Sequence, residues 1–319
     1  MNETMREIGG YLELERFYGA EYHEGLIALD CARNALAYVI EARGIHELWI
    51  PDFLCTSVFQ VAEQHGATVY VYPIRADLTP DYNSINLGAN GYLYFVDYYG
   101  QLSDNEILHA ASFADGRIVV DEVMCFFRRP KIGVDTLYCC RKFFGVADGA
   151  YLATDTHIDT DLPDDESHDK MGFVLGRFER PAGEFYAEAS ANNSRFVGEP
   201  IRAMSKLTQN LLRAIDYRRV QRVREENYAY LEERLGTYNE LALVSPPGPY
   251  MYPLLVEDGQ RIRKALQAQH VFIPTLWPNV AGDPSVAGRL ARDILPLPVD
   301  QRYSIDDMSY MCQLIEELL

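Results

Sequence analysis

The stretch Cys139-Cys140-Arg141-Lys142-Phe143-Phe144-Gly145-Val146-Ala147-Asp148-Gly149-Ala150 decides the fold of this chain. Upstream of it an apolar run ends on acids, Arg117-Ile118-Val119-Val120-Asp121-Glu122. A carboxylate at a strand end, followed by a lone lysine in a glycine-punctuated loop, suits one cofactor above others, pyridoxal 5'-phosphate (PLP). The Lys142 amine can form a Schiff base with the aldehyde, and Asp121 can hold the pyridine nitrogen protonated. The protonated ring is the electron sink on which PLP chemistry depends.

Lysine is scarce, which sharpens the choice: the chain has only Lys131, Lys142, Lys170, Lys206 and Lys264. Lys131 stands in Arg-Arg-Pro-Lys, Lys170 in an acidic loop-like stretch, and Lys206 and Lys264 in helical patterns dense with charge. Solvation accounts for those four. Lys142 has apolar and sulfur neighbours, an environment expected to lower its pKa and make it a usable nucleophile. The competing reading of Lys142 is a snorkelling side chain on a strand edge. That of Asp121 is a strand-end carboxylate capping the next turn. The two residues in this order favour the cofactor.

A chain of 319 residues, 48% of them hydrophobic, can bury a substantial core in one large domain or in a large and a small one. Mean hydropathy is slightly negative, and no uninterrupted apolar stretch approaches the roughly 20 residues a membrane helix needs. The opening residues Met1 to Glu7 lack the basic and apolar regions of a signal peptide, so a cytoplasmic location is expected. A formal net charge of −18 argues against a nucleic-acid partner, which clustered Lys and Arg would bind. Cys31, Cys55, Cys125, Cys139, Cys140 and Cys312 show neither Cys-x-x-Cys nor zinc-like spacing, and the histidines are scattered. Reduced thiols and no metal are expected.

Helical and strand patterns alternate through the first half. Glu24 to Gly44 has helical spacing and a glycine C-cap; Glu47 to Pro51 predicts a strand, and Thr56 to His65 a helix closed by Gly66. Thr68 to Tyr72, Tyr92 to Val96, Arg117 to Val120, Leu137 to Cys139 and Ala150 to Ala153 predict further strands. Helices recurring between strands argue for a parallel or mixed α/β sheet, whose ligands lie beyond the carboxyl ends of the strands. Asp155 to Asp169 is acidic and irregular. Glu199 to Leu235 predicts one long charged helical region, and Ser245-Pro246-Pro247-Gly248-Pro249 a hinge-like break. A strand (Tyr252 to Val256), a helix (Gln260 to Gln269), a strand (Val271 to Pro274) and a final helix (Ile305 to Leu319) complete a compact α+β unit.

Taken in order, these segments resemble a fold-type I PLP enzyme, and within that fold the DegT/DnrJ family of sugar aminotransferases. Gly9-Gly10-Tyr11-Leu12-Glu13-Leu14-Glu15 is similar to the family's entry segment. Ala28-Leu29-Asp30-Cys31-Ala32-Arg33-Asn34-Ala35-Leu36 stands in place of its Ser-Gly-Thr-x-Ala-Leu helix start. Ile50 to Ser57 resembles the strand-to-loop that passes the ring, and Phe95 to Gly100 the His-Leu-Tyr-Gly-like turn. Ile215 to Tyr228 resembles the linker helix, and Leu295-Pro296-Leu297-Pro298 part of the small domain. The resemblance implies a large, mixed but mostly parallel sheet domain with its linker helix over 1–235. A small C-terminal α+β domain follows over 236–319. Asp121 corresponds to the pyridinium aspartate and Lys142 to the Schiff-base lysine. The implied activity is transfer of an amino group from a small-molecule donor to a keto acceptor, a nucleotide-linked sugar, by a homodimer.

Departures from the family pattern surround that pair. The phosphate-binding Gly-Thr becomes Ala32-Arg33; the helix start still offers backbone N–H groups, and Arg33 is either a source of charge or an exposed helix residue. The phosphate-binding Ser before the lysine is absent, so Tyr138 or an unassigned residue must substitute. Met124 stands where the family has a ring-side Gln. The aromatic that stacks on the ring corresponds to Cys55, with Phe53 the nearest aromatic. Tyr98 and Tyr99 either place a phenol at the cofactor or pack in the core. Asn192-Asn193-Ser194-Arg195 predicts a polar loop, and Trp277 a packed residue at a domain seam. The altered surround leaves two alternatives open: another PLP reaction such as elimination or desulfuration, or a sensing or scaffold role on the same fold.

Overall fold

The computed structural model describes residues 8–319; Met1 to Glu7, read above for a missing signal peptide, lie outside the described residues. The main sheet has seven strands: β1 Ile27–Leu29, β2 Glu47–Pro51, β3 Thr68–Tyr72, β4 Tyr92–Val96, β5 Ile118–Asp121, β6 Asp135–Cys139 and β7 Ala150–Ala153. Their spatial order is β1-β7-β6-β5-β4-β2-β3. The run from β3 to β6 is parallel, whereas β7 is antiparallel to both β6 and β1. The sheet is therefore mixed and mostly parallel. β5, β6 and β7 are buried along their whole length, as central strands covered on both faces must be; β5 and β7 read as apolar runs, whereas β6 opens on Asp135, paired with Arg43, and Thr136. Pro51, Val96, Asp121 and Cys139 end four parallel strands along one edge of the sheet.

Helices α1 Ala32–Arg43, α2 Thr56–Gln64 and α3 Asp104–Phe113 cross between strands. α1 is stopped by Gly44 in the left-handed region (φ 62°), which costs glycine nothing. It does not begin at Glu24, as the periodicity predicted: residues 27–29 are paired to β7, and Cys31 is the N-cap, its Sγ accepting from Asn34 N at 3.4 Å. Helices α4 Gly172–Glu179 and α5 Tyr186–Ser194 follow the acidic loop. Neither was expected. Gly172 and Gly176 weaken the helical signal of α4, but Gly176 is needed there, because a Cβ would meet the Phe185 ring at 2.2 Å.

The long charged region divides into α6 Lys206–Leu212 and α7 Tyr217–Leu235, because Asp216 accepts from Arg219 N and caps a new helix start. Residues 199–205 are not helical. Beyond α7 come β8 Met251–Leu255, α8 Gly259–Ala268, α9 Val286–Asp293, β9 Ile294–Pro298 and α10 Ile305–Glu316. β8 and β9 form a two-stranded antiparallel sheet with Pro253 opposite Pro296. In a ribbon of two strands every strand is an edge, so residues without an N–H are tolerated. Residues 271–274, predicted as a strand, have no pairing partner and form none. A second core joins the C-terminal half of α7 to β8, α8, β9 and α10 through Leu231, Leu254, Ile262, Leu297 and Met311. α9 instead packs Ala287, Leu290 and Ala291 into the main core. No helix among the described residues is long and apolar enough to cross a membrane.

Candidate functional site

Asp121 ends β5 and is 3% exposed. Tyr94 Oη donates to its Oδ2 at 2.6 Å, and Val123 N donates to its Oδ1 at 3.0 Å. Burial pushes its pKa up, opposed by those two hydrogen bonds and by the charge of Lys142. β6 is in register with β5, Asp121 opposite Leu137. Side chains alternate along a strand, so Leu137 and Cys139 share the face of Asp121. The chain leaves β6 through a single 3-10 turn, Cys140–Lys142, that delivers Lys142 to the same edge.

Among the described residues Lys142 Nζ makes no hydrogen bond or ion pair; it lies over the Tyr250 ring, 5.1 Å from the centroid. Burial draws its pKa down, but Tyr250, Cys139, Cys55 and Asp121 push it up, and the net direction is upward. The lowered pKa expected from sequence is thus reversed: the carboxylate, thiols and phenol around the amine are polar groups that the apolar sequence context concealed. The remaining lysines are at the surface, Lys131 paired with Asp104, Lys170 with Asp169, Lys206 with Asp164, and Lys264 exposed.

The loop after Lys142 is held at its far end. Asp148, fully buried, accepts from Ser205 N at 2.7 Å, from Ser205 Oγ at 2.8 Å and from Thr208 Oγ1. Gly149 follows with φ +119°, its N donating to Asp30 O. Arg224 of α7, 1% exposed, donates to Pro249 O at 2.9 Å and Gln301 Oε1 at 2.8 Å, and reaches Phe143 O at 3.4 Å. It thereby fastens Phe143, beside Lys142, and the carbonyl that precedes Tyr250. A cavity of about 620 Å³ opens beside Arg141 and Lys142, walled by Phe173, Arg177 and Tyr186 on one side and Gln301 and Arg302 on the other. A second cavity, about 430 Å³ around Glu21, His23 and Tyr151, does not include Lys142.

Cys55 is half-buried at the N-cap of α2 and within electrostatic reach of Tyr94, Lys142 and Arg33. Ala32 and Arg33 open α1. Cys55 thus lies in the surroundings of Lys142, and Arg33 in those of Cys55 and Arg141. Two other expected contacts do not join them. Phe53 is completely buried, packed edge-on to Trp277 at 4.4 Å and against Tyr98 at 5.2 Å, so its ring is committed to the core. Tyr138 alternates with Leu137 and Cys139 and points to the other face of β6, where it stacks on His23 at 4.0 Å. It cannot substitute for a phosphate-binding Ser on the Asp121 side.

Tyr98 and Tyr99 are both buried, Tyr98 Oη donating to Phe53 O at 2.8 Å, which makes them core residues. Trp277 joins the C-terminal part of the chain to Phe53 and Tyr98. Asn192 to Ser194 form the end of α5 rather than a loop; the Asn192 amide donates to Ala147 O at 2.8 Å. On the back of the site Asp97, Glu122 and Cys125 cluster, all buried, with the Arg128 guanidinium 2.7 Å from Asp97 and 3.6 Å from Glu122. Burial lifts Asp97 to about 6 against the pull of Arg128. That internal cation makes the cluster an ion-pair network that pins the turn after β4. All six cysteines are free, and only Cys55 is more than slightly exposed.

Sequence reasoning missed Tyr94, Tyr250 and Arg141. Tyr94 lies two positions from the end of an apolar strand, and Tyr250 follows the proline-rich break; neither position carries a local signal. Arg141 was legible only as the neighbour of Lys142.

No protein-family model matches the chain, and no curated protein does. Solved structures do match over nearly its whole length. DesV from S. venezuelae superposes with a TM-score of 0.64 at 18% identity, covering 95% of this chain and 90% of that one. Spr1654 from Streptococcus pneumoniae, in its PLP-form, gives 0.62 at 15% identity, covering 92% and 87%. A DegT DnrJ EryC1 StrS aminotransferase from Brucella abortus gives 0.60 at 15%, covering 92% and 86%. The architecture is that of a fold-type I PLP-transferase. Within it, the chain has the fold of the DegT/DnrJ-type aminotransferases.

Proposed function

We propose that this protein is a PLP-dependent aminotransferase whose keto acceptor is a nucleotide-linked sugar. One observation carries the reading: Lys142 and the buried, hydrogen-bonded Asp121 share one face at the carboxyl edge of the sheet, in a fold whose solved neighbours are aminotransferases. The residues fit the cofactor. A free amine stands where a covalent anchor is needed, a buried carboxylate lies within electrostatic reach of it, and the start of α1, through Arg33, meets Arg141 beside it. Bound there, PLP would supply an electron sink for the amino-group transfer.

The side chains then have defined work. Lys142 Nζ would anchor the cofactor and, when free, would carry a proton from and to the donor's α-carbon. Asp121 would keep the pyridine nitrogen protonated, and Tyr94 holds that carboxylate in place. Asp121 is buried on the protein side of the pair, which strengthens its charge interaction with Lys142. Arg177, with Phe173 and Tyr186 lining the same 620 Å³ cavity, suits it to an anionic acceptor with a stacking base, while Arg302 is already paired with Asp300. We take 1–235 and 236–319 as the large and small domains, and a cytoplasmic homodimer as the working assembly.

The test starts with purified protein, PLP and borohydride. A PLP-sized mass adduct on Lys142 is expected, lost in Lys142→Ala together with the visible absorbance. With glutamate or glutamine, bleaching of that band and formation of the amine form of the cofactor are expected. Pyruvate or sulfide release instead would favour elimination or desulfuration, which Cys55 in place of a stacking aromatic leaves open. An adduct that survives Lys142→Ala would sink the assignment.

A further inference from the structure

Two arginines near Lys142 have no counter-charge among the described residues. Arg33, in the first turn of α1, donates to Asn193 O at 2.6 Å and to Asn193 Oδ1 at 3.3 Å. Arg141, in the turn before Lys142, donates to the same Oδ1 from both terminal nitrogens at 3.3 Å. Both guanidinium groups also lie over the Phe196 ring, 5.5 and 4.7 Å from its centroid. A third, Arg195, sits 3.9 Å from that centroid but is neutralised by Asp165 at 2.6 Å. Among the described residues neither Arg33 nor Arg141 meets a carboxylate.

Sharing one neutral amide oxygen between two cations is unfavourable, and the chain has 47 acidic residues from which a partner could have come. The mutual effect is visible: burial and then the proximity of Arg141 hold the Arg33 pKa below its ordinary value. Arg141 Nε is buried and has no hydrogen-bond partner among the described residues. Buried donors are normally satisfied, so this one points to a ligand that is not part of the chain. The first turn of α1 supplies more donors. Asn34 N is spent on Cys31 Sγ and Ala35 N on Cys31 O, while the N–H groups of Ala32 and Arg33, the first of the helix, have no intrahelical acceptor. A helix N-terminus with two planar cationic forks beside it is complementary to a dianionic phosphate.

We propose that Arg33 and Arg141, with the first turn of α1, form a doubly cationic clamp for a phosphate dianion, and that in this protein the clamp holds the phosphate of the cofactor anchored at Lys142. The second half of this statement rests on the function proposed above. Arg141 takes the part of the missing hydroxyl donor, so that binding is secured by charge where neutral hydrogen bonds would otherwise serve. Three consequences separate it from a structural role. The protein discriminates strongly between PLP and pyridoxal, which lacks the phosphate. Inorganic phosphate competes with PLP. Removing one cation relieves repulsion, so the unliganded variant is no less stable than the wild type in phosphate-free buffer.

The experiment compares wild type, Arg33→Met and Arg141→Met. PLP and pyridoxal affinities are measured by absorbance titration with borohydride trapping, and melting temperatures with and without inorganic phosphate. Each variant is expected to weaken PLP by about 10–100-fold, the loss of one or two charge-assisted hydrogen bonds, to leave pyridoxal unchanged, and to lose the rise in melting temperature that phosphate gives the wild type. A PLP-to-pyridoxal affinity ratio equal to that of the wild type in both variants overturns the clamp. If wild-type Lys142 is labelled by neither aldehyde, the proposed function fails, and the cofactor half of this inference fails with it. A phosphate-dependent melting shift confined to the wild type would then show an anion clamp serving another ligand.

Discussion

At the scale of single residues, the chemistry is set by what burial does to ionisable groups. His23 shows it most simply. Its Nε2 donates to Phe126 O at 2.7 Å, its ring stacks on Tyr138, and its Nδ1 is buried without a partner. Burial lowers its pKa from 6.5 to about 4, the Phe126 carbonyl opposing and Arg129 adding to the fall. As pH drops, the unfolded chain therefore takes up this proton first. The stability tied to a neutral His23 is whole above pH 6.5 and is lost as pH falls towards 4, by about 3 kcal/mol. Asp30, raised from 3.8 to about 7 by burial against the hydrogen bond from Asn34, titrates with the opposite sign, its contribution lost as pH rises through 7. The informative quantity is hence a difference. Urea unfolding of wild type and His23→Phe across pH 4–8 is expected to show curves that converge as pH falls. Parallel curves would mean that His23 is not buried neutral.

Among the elements, the loop from β6 to β7 carries the most consequence, because a short loop must present Lys142 and still return to an antiparallel strand. Asp148 and Gly149 make that return. At Gly149 φ is +119°, and a Cβ would meet Cys140 Cβ and Thr208 Cγ2, each at 3.1 Å. Gly149→Ala thus combines backbone strain with overpacking and is expected to cost about 2–4 kcal/mol, read as a lower urea midpoint at unchanged slope. An unshifted midpoint would show that the loop adapts freely and does not itself aim Lys142. The same scale explains why α4 and α5 escaped notice. Their apolar side chains, such as Phe178 and Tyr186, are largely exposed, so no clear buried stripe marks them as helices.

For the whole molecule, the decisive feature is how two cores are joined across the site. Arg224 does much of this, linking α7 to Pro249, Gln301 and Phe143 with no carboxylate of its own; Asp300 nearby is engaged by Arg302 at 2.6 and 2.8 Å. Burial draws the Arg224 pKa down to about 10, Asp300 opposing. Arg224→Met keeps the stem but leaves the Pro249 carbonyl and Gln301 Oε1 short of a donor. A loss of about 2–4 kcal/mol is expected, with unfolding of the two cores no longer coincident when followed by fluorescence and by circular dichroism. Coincident transitions at the wild-type midpoint would show that the cores are joined by apolar contacts alone.

The sequence by itself determined the alternation of strands and helices, the strand-end acid at Asp121 and the glycine-punctuated lysine loop. Those depend on neighbours a few positions away: period two or 3.6, a glycine where φ is positive, a carboxylate where an apolar run stops. Only the tertiary structure decided that Tyr138 faces away from Asp121, since that follows from the register of β5 with β6. It alone consumed Phe53 in the seam with Trp277, gathered polar neighbours that raise the Lys142 pKa, and set Arg33 against Arg141. Each of these is a meeting of residues distant along the chain, and long-range pairing has no periodicity from which it could be read.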